Sequence, residues 1–326
     1  NQVNKIDLVL AGDIFEISRS AIWLEGEHRP YINNEAVQPG SEVEGIILSI
    51  LNAIEREVNV TETLDAFRHL NDYFDMEIEL HIILGNHDRL ANATPAIRNK
   101  VREMFGLMSR VDRINNFLIF NDDCGEPFCL IRHGHEYDPT NFSMNVRKLE
   151  IIPTSFPEEA YDRAVLGDIT TIEFGAALSR LFKHEYGTET ILGSKKRMAL
   201  YQRLMEFDDV RPTTAWLAYF FSTPGVKKKK TWKLIKPAFT KVIHTLAGHE
   251  QFHKTLKQSA ALSPFIRVLL MGILRTRIFK NGIPYWMIKR IMKIVSRNIK
   301  VKSQVKWPKR EALMQATEAS CKCVIS

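Results

Sequence analysis

Three short apolar runs in this chain each stop at a glycine beside a side chain able to bind a metal. Residues 6–16 read Ile-Asp-Leu-Val-Leu-Ala-Gly-Asp-Ile-Phe-Glu; residues 79–90 read Glu-Leu-His-Ile-Ile-Leu-Gly-Asn-His-Asp-Arg-Leu; residues 128–138 read Phe-Cys-Leu-Ile-Arg-His-Gly-His-Glu-Tyr-Asp. Short apolar runs bounded by turn residues suit buried sheet strands. Glycine frees the turn that follows. Open α/β sheets gather ligands beyond the C-terminal ends of their strands. Together these rules bring Asp13, Asn86 and His133 towards one point, with Glu16, His87 and Asp88 beside it. A carboxylate, a neutral amide oxygen and an imidazole form a mixed O and N set, which suits Mn, Fe or Zn better than Ca. His87 titrates near neutrality and can donate a proton. Glu16 or Asp88 can hold its ring in one tautomer. For any one run alone, a polar turn after a strand is the competing reading.

The elements between these runs follow local rules. Ser41 with Glu44 three residues on makes a capping box. Ile46, Ile47, Ile50, Leu51 and Ile54 then keep the helical period. A second helix, about 62–75, is expected to pack Leu64, Phe67, Leu70 and Tyr73. Thr94-Pro95 opens another, to about Phe105. Residues 116–120 and 127–132 read as a strand hairpin whose second arm delivers His133. Strands alternating with helices predict an α/β layer fold. Beyond about residue 142 helical patterns dominate, including 172–183, 195–206 and 212–221.

Gly12-Asp13-x-x-Glu16, Gly85-Asn86-His87-Asp88 and His133-Gly134, in that order, resemble three of the five motifs of the calcineurin-like metallophosphoesterases. The resemblance covers roughly residues 5–140, with a last strand near 323–326. It implies a layered α/β/β/α sandwich carrying two divalent metal ions, manganese foremost, with iron and zinc as alternatives. It implies that Asp13 bridges the metals, that Asn86 and His133 bind one of them, and that His87 protonates the leaving oxygen or stabilises the transition state, with Glu16 or Asp88 orienting it. The implied activity is hydrolysis of a phosphomonoester, phosphodiester or pyrophosphate. The family's first motif, Asp-x-His, and its last, Gly-His-x-His, are absent here, and Glu16 replaces the family's second aspartate. The chain is expected to continue at both ends into the missing motifs, or the site is incomplete. Gly-Asp-Ile-Phe-Glu is also similar to the nucleotide-lipid pyrophosphatases of the lipid-A pathway, which place helical insertions over the site. His135 and Asp138 stand near enough to support the ligands, and Arg89 and Arg132 are the nearest cations.

The net charge of +7 hides a split. Residues 1–150 hold 14 Lys+Arg against 25 Asp+Glu, while residues 222–310 hold 22 Lys+Arg and one acid, Glu250. This predicts a metallophosphoesterase core over 1–141, a basic helical insertion or cap over 142–315, and a return to the core sheet over 316–326. Residues 283–299 alternate Trp286, Ile288, Ile291, Met292 and Ile294 with Lys289, Arg290, Lys293 and Arg297, a basic amphipathic helix suited to anionic membranes. The partners expected are a phosphate-containing substrate and, through 222–310, an anionic membrane surface or lipid. Nucleic acid is disfavoured, because few aromatics accompany the charges. The alternative to an enzyme is a non-catalytic phosphoesterase-like scaffold whose basic module binds a membrane or a protein.

Four cysteines, Cys124, Cys129, Cys321 and Cys323, are too few and too oddly spaced for a disulfide framework. A reducing, cytoplasmic setting is expected, peripheral at the membrane, with no transmembrane helix. His249-Glu250-x-x-His253 fits a zinc-protease helix. A catalytic zinc needs a third ligand, yet no Asp, Glu or His lies between residues 254 and 310.

Overall fold

The computed structural model describes residues 4–108, 112–146, 149, 152–207, 213–258, 284–287, 289–290 and 323–325. They divide into two compact units, one running through Asp168 and including the C-terminal strand, the other beginning at Ile169 and running through Gln258. The fold is mixed α/β with two small sheets.

In the first unit, β1 (Lys5–Ala11) lies parallel to β2 (Glu77–Ile83), Lys5 opposite Glu77 and Ala11 opposite Ile83. Parallel neighbours need a crossover. Here α1 (Glu42–Glu55), α2 (Val58–Arg68) and α3 (Leu70–Tyr73) supply it. After α4 (Pro95–Met104), β3 (Phe117–Asn121) and β4 (Pro127–Arg132) form the expected antiparallel hairpin. Strand β5 (Cys323–Ile325) joins β4 in parallel, Cys129 opposite Cys323. The core is built from Ile47, Ile50 and Leu51 of α1, Ile97, Val101 and Met104 of α4, and Ile82 and Ile83 of β2. β1 is more exposed than an apolar run suggests: Ile6 keeps 38% of its surface.

Caps start the helices as expected. The Ser41 hydroxyl accepts from the Glu44 N–H at 3.3 Å. Glu44 reaches back to the Gly40 N–H at 2.6 Å, one residue before the capping-box position, and its other oxygen accepts from the Thr94 hydroxyl. Thr94 is also the N-cap of α4, so one carboxylate ties two helix starts together. The helix expected over 62–75 is instead α2 and α3, divided at His69, and Tyr73 is 65% exposed rather than packed.

The first unit extends past residue 141, where the helical insertion was expected to begin. Phe142, Val146, Ile152, Phe156, Ala160 and Tyr161 form one apolar cluster there. The short helices α5 (Glu158–Asp162) and α6 (Leu166–Ile169) follow, and Asp168 pairs with Arg89 at 2.8 Å.

The second unit opens with a π-helical segment, Thr170–Ala176, running into α7 (Ala177–Tyr186). Then come α8 (Thr188–Leu192), α9 (Lys195–Met205), α10 (Thr213–Phe220), α11 (Lys228–Gly248) and α12 (Glu250–Gln258). Its core is aromatic: Phe182, Trp216, Phe220, Phe221 and Trp232 are buried. Among the described residues no helix is long and apolar enough to cross a membrane. Most of the amphipathic helix expected over 283–299 lies outside the described residues; within it, residues 285–287 are helical and Arg290 sits 5.7 Å from the Trp286 ring. His249 and His253 do not share a helix. His249 ends α11, while His253 lies in α12 and bonds the Ala247 carbonyl at 3.0 Å.

Candidate metal centre

The three glycine-ended strands meet. Gly12 has φ +87°, and a Cβ on it would stand 2.8 Å from both the Gly85 nitrogen and the His133 ring carbon Cγ. A Cβ on Gly85 would stand 2.7 Å from the Asp13 Cγ. Only hydrogen fits at either position, so both glycines are there for close approach. Asp13 and Glu16, each at φ 50°, are the two non-glycine residues in the left-handed region among the described residues. That conformation costs roughly 1–2 kcal/mol apiece. The loop is held in place by Asp88, which is fully buried and accepts from the N–H groups of Ile14 at 2.6 Å and Phe15 at 3.1 Å. In return, Asp13 Oδ1 accepts from the His87 N–H at 2.9 Å. Residues 13–15 are thus bolted to 87–88 by three side chain–backbone bonds.

The centre of the cluster is Asp13 Oδ2, 3.2 Å from His133 Nε2 and 4.0 Å from His87 Nε2. The far side of each imidazole is occupied. His87 Nδ1 lies 3.2 Å from the Ser18 hydroxyl and 3.5 Å from Glu16 Oε2. The Ser18 N–H also donates to the His87 carbonyl at 3.0 Å. His133 Nδ1 lies 3.1 Å from His135 Nδ1, so one of the two carries the shared proton. His135 is buried, edge-on to Phe142 and Tyr161. Asn86 is 4% exposed, and its side-chain nitrogen has no hydrogen-bond partner among the described residues.

Electrostatics follow from this packing. Burial works against ionising Asp13, but the bond from His133 and the charges of both histidines outweigh it and lower its pKa. Burial works against charging His133, and the Asp13 bond and charge reverse that, raising it. Burial lowers His135, with the neutral ring favoured. Burial and the neighbouring Asp13 charge push Asp88 up to about 7, against the pull of its two N–H donors.

The expected site residues have separate fates. Asp13, His87 and His133 come together, and Asn86 lies in the same turn. Glu16 faces His87 as expected. Asp88 does not: its oxygens go to the backbone of the strained loop, so it shapes the site without orienting the ring. Of the two supporting candidates, His135 does support His133, whereas Asp138 closes its own turn, accepting from the Thr140 N–H at 2.9 Å. Arg89 is not free to face a phosphate here, whereas Nε and Nη1 of Arg132 are buried without a hydrogen-bond partner among the described residues. Arg89 is taken by Asp168, Asn34 and the Pro30 carbonyl. Arg132 is buried, donates to the Thr154 carbonyl at 2.7 Å and stacks near Tyr137 and Phe156. Ser18 was missed altogether. Its hydroxyl is five positions past Asp13 in an apolar segment, and only the tertiary fold brings it to His87.

As a metal site the cluster passes a test of spacing. Ligands about 2.1 Å from one ion stand about 3.0–3.4 Å apart, and the Asp13–His133 spacing falls in that range. Of the buried Asn86 amide, the atom without a partner among the described residues is the nitrogen, whereas an ion would take the oxygen. However, three carboxylate or imidazole atoms all within 4.8 Å of one another occur elsewhere among the described residues, at Asp7, Glu79 and His81. No protein-family model, curated protein or solved structure matches this chain.

Proposed function

We propose that this chain is a metal-dependent phosphoric ester hydrolase, acting on a phosphomonoester, phosphodiester or pyrophosphate. The observation that carries the reading is the convergence of His87 and His133 on one oxygen of a strained, half-buried aspartate. Strained backbone persists where surrounding structure over-determines it, and such residues cluster at functional sites. The proposal extends to the fold, with the two small sheets of the first unit facing each other in an α/β/β/α sandwich. It extends to the setting as well: Cys124, Cys129 and Cys323 are free thiols, as a reducing cytoplasm keeps them.

Asp13, His133 and Asn86 would hold a divalent ion, manganese foremost, and a second ion would need ligands beyond these. When bound, such ions neutralise phosphoryl charge and make water nucleophilic at neutral pH. The protein's own residues do the rest. His135 fixes the ring of His133: with the shared proton on His133 Nδ1, the Nε2 lone pair faces Asp13 and the ion, the arrangement common to metal-binding histidines. Ser18 and Glu16 hold His87 by Nδ1, which turns Nε2 towards the centre. There it keeps a proton for the departing oxygen. Asp88 keeps the 13–16 loop in its left-handed shape, so that Asp13 Oδ2 stays aimed at both rings.

The test is direct. The purified chain should contain transition metal and hydrolyse a p-nitrophenyl phosphate ester faster with added Mn²⁺ than with chelator. A chain holding no metal and showing no turnover would favour a second reading, a phosphoesterase-like scaffold without catalysis. The observation behind that reading is that, among the described residues, the carboxylate and imidazole groups at this centre do not make a three-ligand cluster.

A further inference from the structure

We propose that the outward face of α11 is a docking surface for an anionic phospholipid bilayer. This inference concerns the second unit and does not depend on the hydrolase reading.

Helix α11 buries one side. Thr231, Trp232, Ile235, Ala238, Val242 and Leu246 all point into the core. At 100° per residue these fall in one arc. Lys229, Lys230, Lys233, Lys236 and Lys241 fall on the opposite side. Between Lys228 and Gly248 there is no acidic residue at all. Lys241 has a loose partner, Glu185 at 3.8 Å. Lys227 to Lys230, Lys233 and Lys236 have no ion pair among the described residues. The apolar stripe is already satisfied, so packing does not account for the charge.

Helix stability does not account for it either. The N-terminal end of a helix carries partial positive charge, and cations there are unfavourable. Lys227 stands at the N-cap with no side-chain cap bond, three more lysines follow, and the first turn has no acid. The lysines sit where they weaken the helix, which points to stabilisation from an anionic surface outside the chain.

The chemistry of the face selects the surface. Every cation on α11 is lysine and none is arginine. Lysine is a compact point charge on a flexible stem, whereas arginine forks recognise individual phosphates and bases. The Trp and Phe rings of this helix are turned inward: Trp232 is buried and Phe239 packs on Trp232 and Phe174. Single-stranded nucleic acid needs a row of stacking rings, and the outward face of α11 carries only the imidazole of His244. No large apolar side chain of α11 is exposed, so the helix would lie on headgroups without inserting. A lysine face about 20 Å long from Lys228 to Lys241, at 1.5 Å per residue, matches a plane of diffuse negative charge better than a pocket.

The experiment is co-sedimentation of the intact chain with vesicles of phosphatidylcholine, with and without phosphatidylserine, at low and high salt. The chain should pellet with the phosphatidylserine vesicles at low salt, stay in solution with neutral ones, and release as salt shortens the Debye length. Replacing Lys229, Lys230, Lys233 and Lys236 with Gln should weaken binding on the order of 600-fold, at roughly fivefold per lysine. Replacing the same four with Arg should keep it, which separates charge from damage to the fold. The proposal is overturned by absence of binding at low salt, by equal binding to neutral vesicles, by undiminished binding of a Gln variant with native circular dichroism, or by tighter binding of polyuridylate than of anionic vesicles.

Discussion

Strands β1 and β2 carry two clusters of ligand-type side chains. Midway along the strands, Asp7, Glu79 and His81 offer three ligand atoms within 4.8 Å, with His81 Nε2 at 2.8 Å from Asp7. Beyond their C-terminal ends, Asp13 meets His133 at the longer distance of 3.2 Å. By spacing alone the first is the better metal site. Its surroundings say otherwise. Lys5 stands 2.5 Å from Glu79 and 3.5 Å from Asp7, so a cation is already built in. Both carboxylates are exposed, and the strand backbone is ordinary. Around Asp13 the ion-pair partners among the described residues are histidines alone, two glycines clear the approach, and the backbone is strained. Composition and spacing are shared by surface ion pairs and by sites. What separates the two clusters is the cost the fold carries to hold the groups there.

The sharpest way to break this contrast is activity. His87→Ala should lower phosphoester turnover by about 10²–10⁴-fold, the worth of a positioned acid–base group. His81→Ala, in the other cluster, should leave it unchanged. Equal losses in parallel kinetic assays would erase the distinction.

Metal-linked stability comes next. Saturating Mn²⁺, at about a hundred times its Kd, should raise the unfolding free energy by about 2.7 kcal/mol. Thermal unfolding with and without chelator should show the shift in the native chain and in His81→Ala, and none in His133→Ala. A shift that disappears instead in His81→Ala would move the metal to the exposed cluster.

A smaller effect separates the carboxylates. Asp88→Ala leaves two N–H groups of a strained loop without their acceptor and should cost about 2–3 kcal/mol. Asp7→Ala breaks an exposed pair worth under about 1 kcal/mol. Urea unfolding of both variants measures the difference directly.

The least effect concerns pH at Asp7. The His81 bond, opposed by slight burial and helped by Lys5, lowers this carboxylate below its ordinary 3.8. A depressed acid stabilises the fold above its unfolded pKa and loses that contribution as pH falls through the folded one. The loss therefore lies below about pH 4, and screening at this exposed site keeps it to a few tenths of a kcal/mol. Comparing native and Asp7→Asn unfolding between pH 5 and 3 should find the gap closing. A gap that widens on acidification would reverse the assignment.

Much of this was legible in the chain and some was not, for physical reasons. Strand ends are local: an apolar run, a glycine and a polar tail announce themselves, so Asp13, Asn86, His87 and His133 stood out. The Thr94 and Ser41 caps were legible for the same reason. Asp88 was legible as a site residue but its partners were not, because a carboxylate beside a histidine in sequence can turn to any donor the fold brings near. Ser18 left no local signal. The extent of the first unit was hidden too, since the buried Arg89–Asp168 pair joins residues 79 positions apart. Tyr73 shows the opposite error: a helical period is a necessary condition for packing, and α3 ends before the period can bury it.

The pairing of β5 with β4 has a consequence for the order of assembly. Cys129 is translated long before Cys323, its partner across the sheet. At synthesis rates of about 5–20 residues per second, the edge of β4 that β5 will cover waits roughly 10–40 s, while the second unit emerges and can fold on its own contacts. Until then β4 presents unpaired N–H and C=O groups, a template for the wrong strand. The most delicate moment in the life of this chain is therefore its own synthesis, and the arrival of residues 323–325 is what ends it.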